Sequence, residues 1–126
     1  MNAIILAAGR GARLGALGEQ LPKCLAVVLG GKTLLERQLE VLRSCGVRDI
    51  SVVRGHLAEA IQYPGVTYVL NPRYADTGSL GSLACAAVQL HGDMLISYSD
   101  IWYEPAVVEQ LIACAHDLAI AVDPRW

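Results

Sequence analysis

Short apolar runs alternate along this chain with segments of helical periodicity, and glycine-rich or polar turns separate them. Met1 to Leu6 is apolar without a polar face, the pattern of a short strand buried on both sides. Asp49 to Val53, Val66 to Leu70, Asp93 to Tyr98 and Leu118 to Val122 repeat it, which predicts five strands. Thr33 to Cys45 has the strongest helical pattern. Thr33 and Glu36 have the spacing of a capping box, Leu34, Leu35, Gln38, Leu39, Leu42 and Cys45 form one stripe, and Gly46 supplies the stop.

Weaker helices are predicted over Leu57 to Gln62, over Ser79 to Leu90 with Ser79 as N-cap, and from Pro105 to about Ala115. In the Ser79 helix, Leu80, Leu83, Ala84, Ala87 and Leu90 are the positions expected to face inward. Leu25 to Leu29 reads as a brief extended segment. Gly9 to Leu21 carries four glycines before Pro22, so it is expected to be a loop and not a helix. Strand alternating with helix implies an α/β fold, a Rossmann-like three-layer sandwich with a mostly parallel sheet. In such sheets ligands bind beyond the carboxyl ends of the strands. Gly9 to Arg13, Arg54 to His56, Asn71 to Ser79, Asp100 and Asp123 to Trp126 all fall there.

Composition narrows the function. The chain has 126 residues, 54% hydrophobic and 17% charged, which suits one folded domain. A net charge of -2 argues against a general nucleic-acid binder, so any anion site is local. No apolar run approaches the ~20 residues that span a membrane, and Ala3 to Ala8 is too short for a signal segment. Cys24, Cys45, Cys85 and Cys114 have no metal or redox spacing, and are expected to be reduced thiols in a cytoplasmic protein. A mean hydropathy of +0.41 implies apolar surface that a second copy or further chain would cover, so a homo-oligomer is compatible.

The local anion site is the first strand's exit. Leu6-Ala7-Ala8-Gly9-Arg10-Gly11-Ala12-Arg13-Leu14, followed by Pro22-Lys23, combines glycines that let backbone amides approach an anion with three cations. A dinucleotide fingerprint would need G-x-G-x-x-G opening a helix, but the third glycine, Gly15, stands one place late. A P-loop would need Gly-Lys-Ser/Thr at a helix start, which the chain lacks.

The same residues resemble the L-A-A-G-x-G-x-R and P-K signature of the sugar-phosphate nucleotidylyltransferase superfamily. Asn71-Pro72-Arg73-Tyr74 through Thr77-Gly78-Ser79-Leu80-Gly81-Ser82-Leu83 is similar to a segment of its phosphocholine cytidylyltransferase branch, with Gly78 where that segment has asparagine. Tyr98-Ser99-Asp100-Ile101 resembles the branch's metal-binding turn. The resemblance spans nearly the whole chain but only the amino-terminal half of a usual catalytic domain. Residues 1–126 are therefore expected to be a nucleotidyltransferase domain incomplete at its carboxyl end.

The resemblance implies transfer of a nucleoside monophosphate, CMP favoured, from a triphosphate to a small phosphate or phosphonate monoester such as phosphocholine. Pyrophosphate would leave, and Mg²⁺ would be the cofactor. The implied nucleotide contacts are Leu6, Ala7, Ala8, Gly9, Gly11, Arg13, Lys23, Asn71 and Ser82. Arg13 and Lys23 would be the catalytic cations and Asp100 the metal ligand. Ser82 would meet a pyrimidine edge, while Asn71 would contact nucleotide or cap its strand in an Asx turn. Tyr98, Trp102 and Tyr103, with Tyr74 and Trp126, would form an acceptor box for a quaternary ammonium, or pack over the sheet end. His56 would lie near the base or serve structure. Two alternatives stay open: a hexose-1-phosphate nucleotidylyltransferase, and a truncated nucleotide-binding module without turnover.

Overall fold

The computed structural model describes residues 1–11, 15–28 and 30–125. Its centre is β1 (Asn2–Ala7), which hydrogen-bonds along both edges. β2 (Asp49–Arg54) and β4 (Met94–Tyr98) flank it in parallel, and β3 (Thr67–Leu70) lies outside β2, giving the order β3-β2-β1-β4. The register pairs Ile5 with Val52 on one side and Ser97 on the other. A strand in this position meets no water on either face, which explains its unbroken apolar run. Ile4 and Ile5 are both fully buried.

Helices cover both faces. Ala3, Ile5, Ala7, Ile50 and Val52 pack with Leu35, Leu39 and Leu42 of α2 (Leu34–Ser44) and Val108 of α4 (Pro105–Ala113). Ile4, Ala8 and Val53 pack on the opposite face with Leu83 of α3 (Ser79–Cys85) and the following Ala86. The α2 ends follow the sequence closely. The Thr33 hydroxyl oxygen accepts the Glu36 amide at 3.1 Å and meets the Tyr63 hydroxyl at 2.6 Å. Gly46 takes φ +83, and the Val47 and Gly46 amides donate to the Leu42 and Arg43 carbonyls at 3.0 and 3.1 Å, a Schellman closure.

The expectation for Gly9 to Leu21 needs correction. Ala16–Gln20 forms one helical turn, α1, with Gly15 at its N-cap. Its internal glycine is a packing residue. A Cβ on Gly18 would sit 2.5 Å from the Gly11 carbonyl oxygen, so the turn can lie against Gly11 only where that atom is missing. This contact, with a 2.9 Å hydrogen bond between the Gly18 carbonyl and His56 Nε2, offsets the roughly 1 kcal/mol that glycine costs a helix.

Other expectations change in detail. Leu25 to Leu29 is not a strand: Lys23–Leu25 is a 3-10 turn, Val27 makes a single antiparallel bridge to Thr33, and Leu29 lies outside the described residues. The helix predicted over Leu57 to Gln62 is a 3-10 turn, Ala58–Ala60. The Ser79 helix is capped by Gly78 and breaks after Cys85 into a 3-10 turn at Ala87–Gln89. Ser82, Leu83 and Ala86 face the sheet, while Leu80 is 82% exposed. The helix is rotated because Ser82 is hydrogen-bonded to buried Asn71. Leu118 to Val122 forms no strand, because no neighbouring strand offers it a ladder; Leu118, Ile120 and Val122 are 75 to 80% exposed. Among the described residues no helix is long and apolar enough to cross a membrane.

Replacing Thr33 by Ala should lower stability by about 1 kcal/mol or more, because both the Glu36 amide and the Tyr63 hydroxyl lose a partner. Thr33→Ser should recover most of it. Urea unfolding midpoints at unchanged slope would measure both.

Candidate active site

The carboxyl ends of β1 and β4 and the amino-terminal turn of α3 surround a cavity of about 380 Å³. Its floor is Leu6, Ala7, Ala8 and Gly9 as they leave β1. Lys23 and Asp100 stand together on one wall, with Lys23 Nζ donating to Asp100 Oδ2 at 3.2 Å. Each arrives by its own constraint. Lys23 follows buried Pro22, whose φ of -56 and ψ of 138 turn the chain into the 3-10 turn. Asp100 follows buried Ser99, whose amide donates to the Leu6 carbonyl at 3.2 Å and continues the β4–β1 ladder one residue past the strand.

The facing wall comes from the loop after β3. Buried Asn71 is its hub. Its Nδ2 donates to Thr77 Oγ1 at 2.9 Å and Ser82 Oγ at 3.0 Å, and its Oδ1 accepts the Arg73 amide at 3.0 Å. The last bond closes an Asx turn. Asn71 therefore lies behind the cavity and orients two hydroxyls, Thr77 and Ser82, that line it. Tyr74 joins this wall with its ring centroid 6.0 Å from that of His56. Gly55 makes the approach possible: a Cβ there would stand 2.6 Å from Tyr74 Cβ and 2.8 Å from the Ala8 carbonyl oxygen. The His56 amide donates to that same carbonyl at 3.1 Å.

The structure thus gathers Leu6, Ala7, Ala8, Gly9, Lys23, Ser82, Tyr98 and Asp100 around one cavity. It does not gather every residue singled out. Gly11 is buried at φ +65 against Gly18, off the cavity wall. Arg13 and Trp126 lie outside the described residues. Trp102 lies under the Arg37 guanidinium at 5.5 Å and donates Nε1 to Glu104. Tyr103 packs against the core on the α2–α4 face, and burial pushes its phenol up. Tyr98 and Tyr74 are the aromatic side chains in the cavity wall, so Trp102 and Tyr103 do not close a box with them. Thr77 and Ser99 lie inside the motif segments but have no role assigned there; their places at the cavity follow from the hydrogen bond to Asn71 and from the β1–β4 register.

A more open depression of about 470 Å³ lies beside Arg54, Tyr63 and Tyr68. Its one cation is engaged: the Arg54 guanidinium stacks on Tyr68 at 3.9 Å and donates to the Ala58 and Ile61 carbonyls.

The site offers an anchored cation, an adjacent carboxylate and, at Ala8 and Gly9, a floor without bulky side chains. This suits an oligophosphate carrying a divalent cation. Among the described residues no three His, Cys, Asp or Glu side chains cluster into a metal cage. A lone carboxylate fits a cation whose remaining ligands come from substrate phosphates and water. Cys24, behind Lys23, is no nucleophile. Burial pushes its thiol from 9.0 up to about 12, a backbone hydrogen bond opposes, and the Asp100 charge adds to the rise.

The Cys24 thiol is neutral in both folded and unfolded chains below about pH 9. Between pH 9 and about 12 only the unfolded chain sheds the proton, so stability falls as pH rises, by up to about 1.4 kcal/mol per unit. Urea midpoints measured from pH 8 to 11 should decline less steeply in Cys24→Ala than in the unaltered chain.

The model of the MobA-like NTP transferase domain matches residues 3–125. The chain is 36% identical to CTP:phosphoglutamine cytidylyltransferase of Campylobacter jejuni, over 100% of this chain and 54% of that protein. It is 40% identical to choline-phosphate cytidylyltransferase of Streptococcus pneumoniae over 76% of this chain and 43% of that protein. The solved CTP:phosphocholine cytidylyltransferase of Streptococcus pneumoniae superimposes with a TM-score of 0.72 at 39% identity, covering 79% of this chain and 44% of that one. The chain spans about half the length of these relatives.

Proposed function

The chain belongs to the MobA-like NTP transferase family, and from that premise we propose that it carries the nucleotide half-site of a Mg²⁺-dependent cytidylyltransferase. The reaction moves CMP from CTP to a small phosphate or phosphonate monoester and releases pyrophosphate. The observation that carries this reading is the Lys23–Asp100 pair, 3.2 Å apart over the backbone floor of Ala8 and Gly9. Relatives named as cytidylyltransferases for phosphoglutamine, choline phosphate and 2-aminoethylphosphonate support the choice of CTP and of acceptor class.

The residues divide the work simply. The acceptor is already an anion, so the reaction needs no general base. It needs in-line positioning and neutralisation of phosphate charge. The Ala8–Gly9 backbone lets phosphates approach without side-chain interference, and Gly11 and Arg13 enter through their places in the loop motif. Lys23 leaves Asp100 to meet the α-phosphate, where negative charge grows as the bond to pyrophosphate breaks. Asp100 would hold Mg²⁺, which supplies further neutralisation of the triphosphate when bound. Ser82 and the Ala8 backbone face the base, and Asn71 holds Ser82 in that orientation. Lys23 and Asp100 neutralise each other, so neither charge is left uncompensated in a partly buried pocket.

Tyr74 and Tyr98 are the aromatic contacts available to a cationic acceptor head group. Trp102 and Tyr103 would reach it only after the turn that carries them rearranges.

Pyrophosphate release should be strongest with CTP, and with phosphocholine or 2-aminoethylphosphonate rather than hexose 1-phosphates. Triphosphate binding without release, for every acceptor, would make the chain a binding module instead. Lys23→Ala should lower kcat by roughly 10²- to 10³-fold, as loss of one transition-state donor does. Its urea midpoint and CTP affinity should change far less. An unchanged kcat would remove Lys23 from the reaction.

A further inference from the structure

Gln38 is the one polar member of the buried stripe of α2, lying at 2% exposure among Leu35, Leu39 and Leu42. A leucine or methionine would continue that stripe and leave no buried amide to satisfy. The structure instead turns the side chain toward the loop after β4. Gln38 Nε2 donates to the Tyr98 carbonyl at 2.9 Å and to the Ile101 carbonyl at 2.6 Å. Both amide hydrogens are used. Two carbonyls can only accept, so the group facing them must be the amino group. Gln38 Oε1 is left buried without a hydrogen-bond partner.

Those two carbonyls bracket Ser99 and Asp100. Gln38 therefore closes the Tyr98–Ile101 turn from inside, while the Ser99 amide ties it to Leu6 of β1. With the backbone fixed on both sides, the Asp100 carboxylate has only its side-chain torsions to move through. It reaches Lys23 from there. A carboxylate that must supply the protein's share of a metal shell gains affinity when its position is preset, because less ordering is left for the binding step.

We propose that Gln38 is a positioning residue for Asp100, and that it sets the affinity of the site for a divalent cation bound with the nucleotide. It touches neither substrate nor metal and acts through the turn. This rests on the cytidylyltransferase reading, in which Asp100 is the metal ligand.

The test uses Gln38→Met, which keeps the side-chain length and apolar packing and removes both donors. Mn²⁺ binding in the presence of CTP is read by electron paramagnetic resonance, and amide hydrogen exchange at Ser99, Asp100 and Ile101 is read by NMR. Gln38→Met should weaken Mn²⁺ by about 10-fold or more, the range found when outer-shell partners are removed. It should also speed exchange at the three turn amides, leaving exchange in β1 and β2 unchanged. The Mg²⁺ concentration for half-maximal pyrophosphate release should rise in step, with little change in KM for CTP at saturating Mg²⁺. If Gln38→Met does not fold, Gln38→Leu serves instead. It continues the apolar stripe and has no donor, so the same loss is expected. Wild-type affinity for Mn²⁺ in a folded variant overturns the positioning role while leaving the cytidylyltransferase reading intact. Failure of the unaltered chain to bind Mn²⁺ with CTP overturns that reading, and this role with it.

Discussion

The structure depends on β1 being hydrogen-bonded on both edges and packed on both faces. A central parallel strand leaves no backbone group of its own for water, so it can be short and apolar from Ala3 to Ala7 and still be rigid. Parallel pairing then brings every carboxyl end to the same side of the sheet. Lys23 and Asp100 are 77 positions apart in sequence. They meet because one follows the exit of β1 and the other the exit of its neighbour β4. The floor of the cavity is the same strand running out into Ala8 and Gly9.

Close backbone approach is the second constraint, and glycine meets it at chosen points. Gly18 lets α1 lie on the Gly11 carbonyl, and Gly55 lets Tyr74 and the Ala8 carbonyl both press on the place a Cβ would take. Gly81 does the same for Thr77, whose Cβ would be 2.6 Å from an added Cβ. Each contact fixes a loop that carries a wall of the cavity. Helix propensity at Gly18 is sacrificed for this packing.

The two faces of the sheet are unequally covered. α2 and α4 seal one face with a continuous apolar core. The other carries the shorter α3 and the turn after it, and there Leu80 and Val88 are more than 80% exposed. At the outer strand β4, Ile96 and Tyr98 are about half exposed, and its far edge bonds to no strand among the described residues. The chain spans about half the length of the relatives it matches.

Sequence by itself determined the elements whose stability is local or whose burial is complete. Four strands, the Thr33 cap, the Gly46 stop and the glycine-lined exit of β1 were all legible, because each depends on an apolar run or on neighbours a few residues away. The family signature brought Lys23 and Asp100 into one list. Tertiary structure decided what depends on distant partners. The α1 turn exists because Gly11 and His56 receive it, and Leu118 to Val122 stays unpaired because a strand needs another strand beside it. Asn71 became a hub behind the cavity once Thr77 and Ser82 folded onto it, and Trp102 and Tyr103 left the site for other contacts. Gln38 shows the division most sharply. Its place in an apolar stripe was plain from spacing, but the two carbonyls that explain an amide there come from residues 60 and 63 positions away.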